Sequence, residues 1–506
     1  GNIMQRHRVR KVLSIIMAGI VLFSIGWLIC LKNNSKNMTQ QQLPQKWHLN
    51  GLSKNGLSND TQTILKNGQK YELFYLVDNG KGLEANQLRT RWARSVSSDL
   101  TTFKVADNTD IKPVSQQESV ATGSIVKDTD NLSGHGKNSL LAYATKYING
   151  NQWTYMWYST NQGENWHVAH NGKPVAKPYK EGKDFRDPHV IYDSDAKQFV
   201  MTVAEADDNN HMKIGFYISK NGTTWQYTDS FYSPRDLGTL EVPEIHQIYQ
   251  KNNNQKQWIL FFGANGFADD FQKSTGSYYV VGQLKNGQFE AETDPERVDF
   301  GTDYYAAHNY QENNEQLLGF GWMGNWDYIY RVSDDIKYKG NYSAFRKMFL
   351  SSDNKLKTSK IITNGLFDTK KKTALVRAHS KSHIKTNKAA YKISTVVNGN
   401  QKLTIRAGNG DSNVSFHFNN FDKKLTVHRQ SNYVTNDAYN KDYNINLWGD
   451  WSEKVDFYVD QYSIEVFWPK TGQVATFAKY SNDSGDNIVF DNLDNKSSSL
   501  VVQEMK

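Results

Sequence analysis

Short runs in which apolar and polar residues alternate recur along most of the chain: Tyr71–Leu76, Thr154–Ser159, Phe199–Ala204, Lys213–Ser219, Trp258–Phe262 and Ser277–Val281. A period of two marks a strand, and the clusters of Asn, Gly, Asp and Lys between the runs supply turns. Helical spacing of apolar residues is scarce, so the pattern predicts an all-β chain. A unit of strand, polar turn and aromatic repeats within it: SVSSDLTTF from Ser95, WYSTNQGENW from Trp157, FYISKNGTTW from Phe216 and VVGQLKNGQF from Val280. Aligned on Ser97, Ser159, Ser219 and Leu284, the steps are 62, 60 and 65 residues. A repeat of about 60 residues with about four strands has the size of a propeller blade. Residues 46–350 would hold five blades, with Phe103, Trp166, Trp225 and Phe289 packing between them. Residues 351–366 read as a linker. Residues 367–506 alternate again, most clearly in the hairpin VDFYVDQYSIEVFW at 455–468, and predict a β-sandwich.

The amino-terminal pattern is different. Residues 12–31, VLSIIMAGIVLFSIGWLICL, form an unbroken run without a charge. At about 1.5 Å per residue such a helix matches a hydrocarbon core of about 30 Å. The basic flank RHRVRK places the amino terminus in the cytoplasm and everything after residue 32 outside. A secretory leader has a shorter apolar stretch and a small-x-small cleavage site. The expectation is therefore a cytoplasmic stub and single-pass membrane anchor over 1–31, a polar spacer over 32–45, and an extracellular remainder.

Charge and cysteine content narrow the function. The chain has 60 Lys+Arg against 52 Asp+Glu, a net +8. Six of the positive residues and no acid lie in residues 1–45, which leaves 8 less 6, or +2, for the rest. A nucleic-acid partner would require a strong basic excess on the folded part, so that class is set aside. One cysteine, Cys30, excludes an internal disulfide framework and a cysteine-rich zinc module. An exported chain without disulfides suits a bacterial source.

Three acidic contexts stand just before or within strands of different repeats: Asp60 in Leu57-Ser58-Asn59-Asp60, Asp187 in Asp184-Phe185-Arg186-Asp187-Pro188, and Glu241 in Leu240-Glu241-Val242-Pro243-Glu244. Singly each is an ordinary turn or strand end; their similar placement in three repeats is what stands out. Cleavage of a glycosidic bond needs two carboxyls across it, one ionised and one protonated. A third acid beside an arginine suits sugar hydroxyls, because a carboxylate accepts strong hydrogen bonds from them. Tyr304 and its neighbour Tyr305, with Trp322 and Trp326 in Trp322-Met323-Gly324-Asn325-Trp326, offer flat faces for a sugar or, equally, core packing.

In these elements the chain resembles glycoside hydrolase family 32, the β-fructosidases acting on sucrose, inulin and levan. Arg186-Asp187-Pro188 matches the family's Arg-Asp-Pro element, and Glu241-Val242-Pro243-Glu244 its Glu-Cys-Pro-Asp element. Asn59-Asp60 matches Asn-Asp-Pro-Asn, Ala121-Thr122-Gly123-Ser124 matches Trp-Ser/Thr-Gly-Ser, and SIEVFW at 463–468 resembles a sandwich signature. The resemblance covers roughly residues 46–506. It implies a five-bladed β-propeller followed by a β-sandwich, with Asp60 as nucleophile, Glu241 as general acid/base and Asp187 as transition-state stabiliser. It also implies that Asn59, Gln62, Arg186 and Ser124 bind substrate, and that the chemistry needs no metal or cofactor. Departures occur at Leu57, Thr61, Ala121 and Val242, where the family carries Trp, Pro, Trp and Cys. The expected partner is a fructan or fructooligosaccharide. Asn59-Asp60-Thr61-Gln62 and Phe74-Tyr75-Leu76 look most like the levan-degrading branch. An exo-β-fructosidase acting on inulin or sucrose, a fructosyltransferase, and a fructan-binding protein impaired in turnover are the alternatives.

Overall fold

The computed structural model describes residues 58–78, 90–101, 103–105, 109–266, 275–336, 341–361, 367–449, 453–483 and 485–506. The expected anchor, the spacer and Leu57 lie outside these residues. Among the described residues no helix is long and apolar enough to cross a membrane, and one short α-helix, Asp437–Asn440, is present.

Five antiparallel sheets of four or five strands follow one another along the chain. Each begins with an inner strand: Ser58–Asn67, Glu118–Asp128, Phe185–Asp193, Gly238–Tyr249 and Tyr305–Gln311. Each inner strand neighbours the next, and the fifth returns to the first, so the sheets close into a five-bladed propeller. Closure leaves the inner strands around one hub.

The sequence repeat falls on the third strand of each of the first four blades and the turn that follows it. In three of them a serine anchors the turn. Ser97 Oγ accepts the Leu100 N–H at 2.9 Å, Ser159 Oγ the Gly163 N–H at 2.9 Å, and Ser219 Oγ the Gly222 N–H at 2.8 Å. The aromatic after each turn packs on the preceding blade. Trp166 meets Phe74 at 6.4 Å, Trp225 meets Tyr143 at 5.8 Å, and Phe289 stacks on Phe216 at 5.8 Å. Phe103 stacks on Phe345 of the fifth blade at 5.7 Å, which seals the ring.

The stretch expected to be a linker is partly sheet. Leu356–Lys360 is the outer strand of the fifth blade, paired with Arg346–Leu350. Its polar sequence reflects an edge position in part: Lys357 is partly exposed and Ser359 exposed, while Leu356 and Thr358 face inward and Lys360 turns its side chain into the contact with the sandwich. After it, two six-stranded antiparallel sheets enclose a core built from Ile393, Leu403, Phe416, Phe457, Ile464 and Phe490. The hairpin predicted at 455–468 is formed by Glu453–Val459 and Ser463–Trp468.

Candidate active site

The three carboxylates meet at one end of the hub, and the backbone there explains how. The pairing of each inner strand slips at the same height: around Thr61, between Val120 and Gly123, around Asp187, between Glu241 and Glu244, and between Tyr305 and His308. A bulge bends its strand and re-aims the side chain beside it. In three blades a bulge residue takes a left-handed conformation: Asp187 at φ 63°, Val242 at 48° and Ala306 at 48°. This is unusual for any residue but glycine, and for a β-branched valine it is a true strain. Cross-blade hydrogen bonds hold the geometry. Val242 N–H donates to Asp187 Oδ2 at 3.0 Å, Asp187 N–H to Thr145 Oγ1 at 2.9 Å, and Thr61 Oγ1 to the Ala306 carbonyl at 2.7 Å.

Each acid has its own environment. Asp60, half-buried, accepts a hydrogen bond from Thr122 Oγ1 at 3.0 Å. Burial and then the charge of Asp187 push its carboxyl up to about 7, against the pull of the Thr122 bond. Asp187 is buried and is raised to about 6; Arg186 and the Val242 N–H oppose the burial, while Glu241 reinforces it. Glu241 accepts the Tyr305 phenol at Oε1, 2.8 Å away. Its Oε2 accepts Arg186 Nε at 3.4 Å and Nη2 at 3.3 Å. Arg186 Nη1 also reaches Asp184 Oδ1 at 3.1 Å and Gln152 Oε1 at 3.3 Å. Three carboxylates thus gather around one guanidinium. Desolvation and like charge favour keeping protons on Asp60 and Asp187, a condition suited to acid–base work.

The other residues singled out from the sequence separate into two sets. Arg186 belongs to the site. Asn59 lies on the first inner strand, with its side chain outside the described residues. Gln62 is fully buried: its amide donates to the Asp60 carbonyl at 3.1 Å and its oxygen accepts the Gly123 N–H at 2.7 Å. It ties the first blade to the second beside Asp60. Ser124 is also fully buried and accepts the Val190 N–H at 2.9 Å, a link between the second and third blades. Tyr304, the residue just before the strand Tyr305–Gln311, points away from the carboxylates. Its ring lies under Arg346, 4.2 Å from the guanidinium, beside the sandwich, and it is Tyr305 that reaches Glu241. Trp322 is buried in the cluster that holds Tyr305 and Val242; Trp326, half-buried, packs on it with ring centroids 4.7 Å apart.

Sequence reasoning passed over Tyr147, Thr145 and Gln152, all from the second blade. The Tyr147 phenol, pushed up by burial, feels the charges of Arg186, Asp187 and Glu241. None of the three sits in a motif. Thr122 was visible only as a member of Ala121-Thr122-Gly123-Ser124. Further along the inner strands, His189, Glu244 and His246 bring three ligand-type atoms within 4.8 Å of one another.

Residues 48–360 match the model of the glycosyl hydrolases family 32 N-terminal domain. The chain is 32% identical over 297 residues to the levanbiose-producing levanase of Bacillus subtilis (strain 168), covering 56% of this chain and 52% of that protein. It is 32% identical over 279 residues to the levanbiose-producing levanase of Geobacillus stearothermophilus, covering 53% of this chain and 67% of that one. It therefore spans about half to two thirds of the length of these relatives. The fold is that of the exo-inulinase from Aspergillus awamori, with a TM-score of 0.79, 19% identity and coverage of 92% of this chain and 99% of that one. A β-fructofuranosidase from Schwanniomyces occidentalis aligns with a TM-score of 0.77, 18% identity and coverage of 93% and 100%. With the family model spanning more than half of the chain and the blades arranged as described, this protein belongs to glycosyl hydrolase family 32.

Proposed function

We propose that this chain is a retaining glycoside hydrolase that cleaves β-fructosidic bonds in fructans. The observation that carries the reading is the convergence of Asp60, Asp187 and Glu241 from three blades, each with different partners. Asp60 attacks the anomeric carbon of the fructosyl unit, and Glu241 delivers a proton to the departing oxygen. Water, deprotonated by Glu241, then releases fructose or a fructosyl chain from Asp60. Asp187, its Oδ2 fixed by the Val242 N–H, takes the sugar hydroxyls, and those bonds tighten as charge develops at the anomeric centre. Arg186 and Tyr305 orient the Glu241 carboxyl.

The levanase relatives favour levan over inulin or sucrose as the preferred substrate. Ala121, where the family commonly carries a tryptophan, makes that wall of the pocket smaller. Export with anchoring through residues 12–31 is part of the proposal and rests on the apolar run and its basic flank. The experiment is incubation of the full chain with levan, inulin and sucrose, with chromatography of the products over time. Fructose or short levan fragments, fastest from levan, support the reading. Fructosylated acceptors in place of free sugar indicate a transferase, and no product from any substrate overturns the assignment as an enzyme.

A further inference from the structure

The hub holds a second cluster that the carboxylate chemistry does not use. His189 lies two residues beyond Asp187, Glu244 and His246 lie three and five beyond Glu241, and His308 lies two beyond Ala306. All four are buried, Glu244 completely. The His189 and His246 rings are 5.4 Å apart. Glu244 Oε1 accepts the Asn309 N–H at 2.8 Å and lies against His246 Nε2. Glu244 Oε2, sealed from water, has no hydrogen-bond partner. A buried carboxylate oxygen without a donor is unfavourable unless a cation or proton meets it.

His189 Nδ1 accepts the Ile245 N–H at a long 3.4 Å, a weak bond that a metal on the same lone pair would displace. Thr61 gives its own proton to the Ala306 carbonyl, so the contact at 2.8 Å between Thr61 Oγ1 and His308 is an Nδ1–H donation. That leaves the His308 lone pair on Nε2. One ligand atom from each of His189, Glu244 and His246 lies within 4.8 Å of the other two. Inward shifts of under about 1 Å would bring all three to zinc-bond length, about 2.0–2.2 Å.

We propose that His189, Glu244 and His246 form a structural site for a divalent transition metal of the zinc type, joining the third and fourth blades behind the catalytic carboxylates. Two imidazoles and a carboxylate suit zinc and its neighbours; calcium and magnesium prefer all-oxygen sets. Because the ligands are buried, the metal enters as the chain folds.

The test is the metal content of the full chain, produced in zinc-supplemented medium and passed through EDTA and gel filtration. The expected result is about one zinc per chain, falling at least roughly tenfold in Glu244→Gln and in His246→Asn and unchanged in His417→Ala, a variant of the sandwich domain. Production with cobalt should give the visible absorption of a low-coordinate cobalt–histidine site. Two results overturn the proposal: wild-type chain that is folded, metal-free and unaltered in melting temperature between zinc and EDTA, or equal zinc in wild type and folded variants. The first would mean that the Asn309 N–H and His246 suffice for Glu244 without a metal. The wild-type arm decides even if both hub variants fail to fold.

Discussion

Two regions of this molecule bury acids, and they treat them in opposite ways. Where the fifth blade meets the sandwich, Arg346 bonds Asp299 at 2.7 Å and Glu465 at 2.8 Å, with all three side chains fully buried. Lys360 adds a second bond to Glu465 at 2.9 Å, and Arg429 meets Asp303 at 3.0 Å. Backbone bonds run through the same seam, from Phe300 N–H to Val474 O at 2.8 Å and from Asp303 N–H to Thr476 O at 3.0 Å. At the mouth of the hub, Asp60, Asp187 and Glu241 gather around Arg186, and two of them are pushed up toward neutrality. The seam matches charge and joins two domains. The mouth leaves charge mismatched on a strained backbone. A fold accepts such conflict where chemistry needs it and compensates elsewhere.

The largest effect should come from the mouth. Asp60→Asn removes the covalent route, and turnover should fall by about 10⁴-fold or more on every fructan, with circular dichroism unchanged. Arg346→Met should do the reverse. Breaking a buried ion network strands its partners, so unfolding by denaturant should show a loss of about 3–5 kcal/mol. Activity per folded molecule should persist. A stable Arg346→Met protein would mean the seam is less charge-dependent than its geometry implies.

A finer comparison uses two neighbours in sequence at the start of the fifth inner strand. Tyr305→Phe removes a hydrogen bond to the Glu241 carboxyl and should lower kcat/KM roughly 10- to 100-fold. Tyr304→Phe removes a hydroxyl without a partner at the seam and should leave kcat/KM within about twofold. Equal losses in the two variants would contradict the assigned facing of the strand.

The smallest effect concerns pH. Folded Asp60 holds its proton to about 7, against 3.8 as its ordinary value. The native state therefore binds more protons than the unfolded chain between those values, and stability falls as pH rises through that window. The cost is absent below about pH 4 and complete above about pH 7. Asp60→Asn should melt roughly 1–3 °C above wild type at pH 8 and level with it at pH 4. A gain at pH 4 and none at pH 8 would have the sign wrong.

The contrast also explains what the sequence could show. The blades were legible because Ser97, Ser159 and Ser219 anchor the same turn and an aromatic follows each, a local pattern repeated at nearly constant steps. The three acids were legible because each sits in a short motif beside its own bulge. Tyr147 and Gln152 were not, since they come to Arg186 from another blade. Gln62 and Ser124 were assigned to substrate by resemblance, yet both are held by backbone N–H groups of neighbouring strands, a long-range pairing that local sequence does not encode. Tyr304 and Tyr305 were inseparable without knowing that the strand begins at Tyr305, since a one-residue slip reverses every face. The strand Leu356–Lys360 read as a linker because an edge strand is short and polar.

The central claim is that Asp60 carries the fructosyl group. In Glu241→Gln the acid and base are lost, but an activated aryl β-fructofuranoside needs little protonation to leave, so the first step outruns the second and the intermediate accumulates. The measurement is peptide mass spectrometry of that variant after brief reaction and acid quench. The account predicts a single fructosyl unit on the peptide containing Asp60, absent in the Asp60→Asn, Glu241→Gln double variant. A fructosyl unit on Asp187 instead, or release of the aryl group at full burst with no labelled peptide, would contradict it.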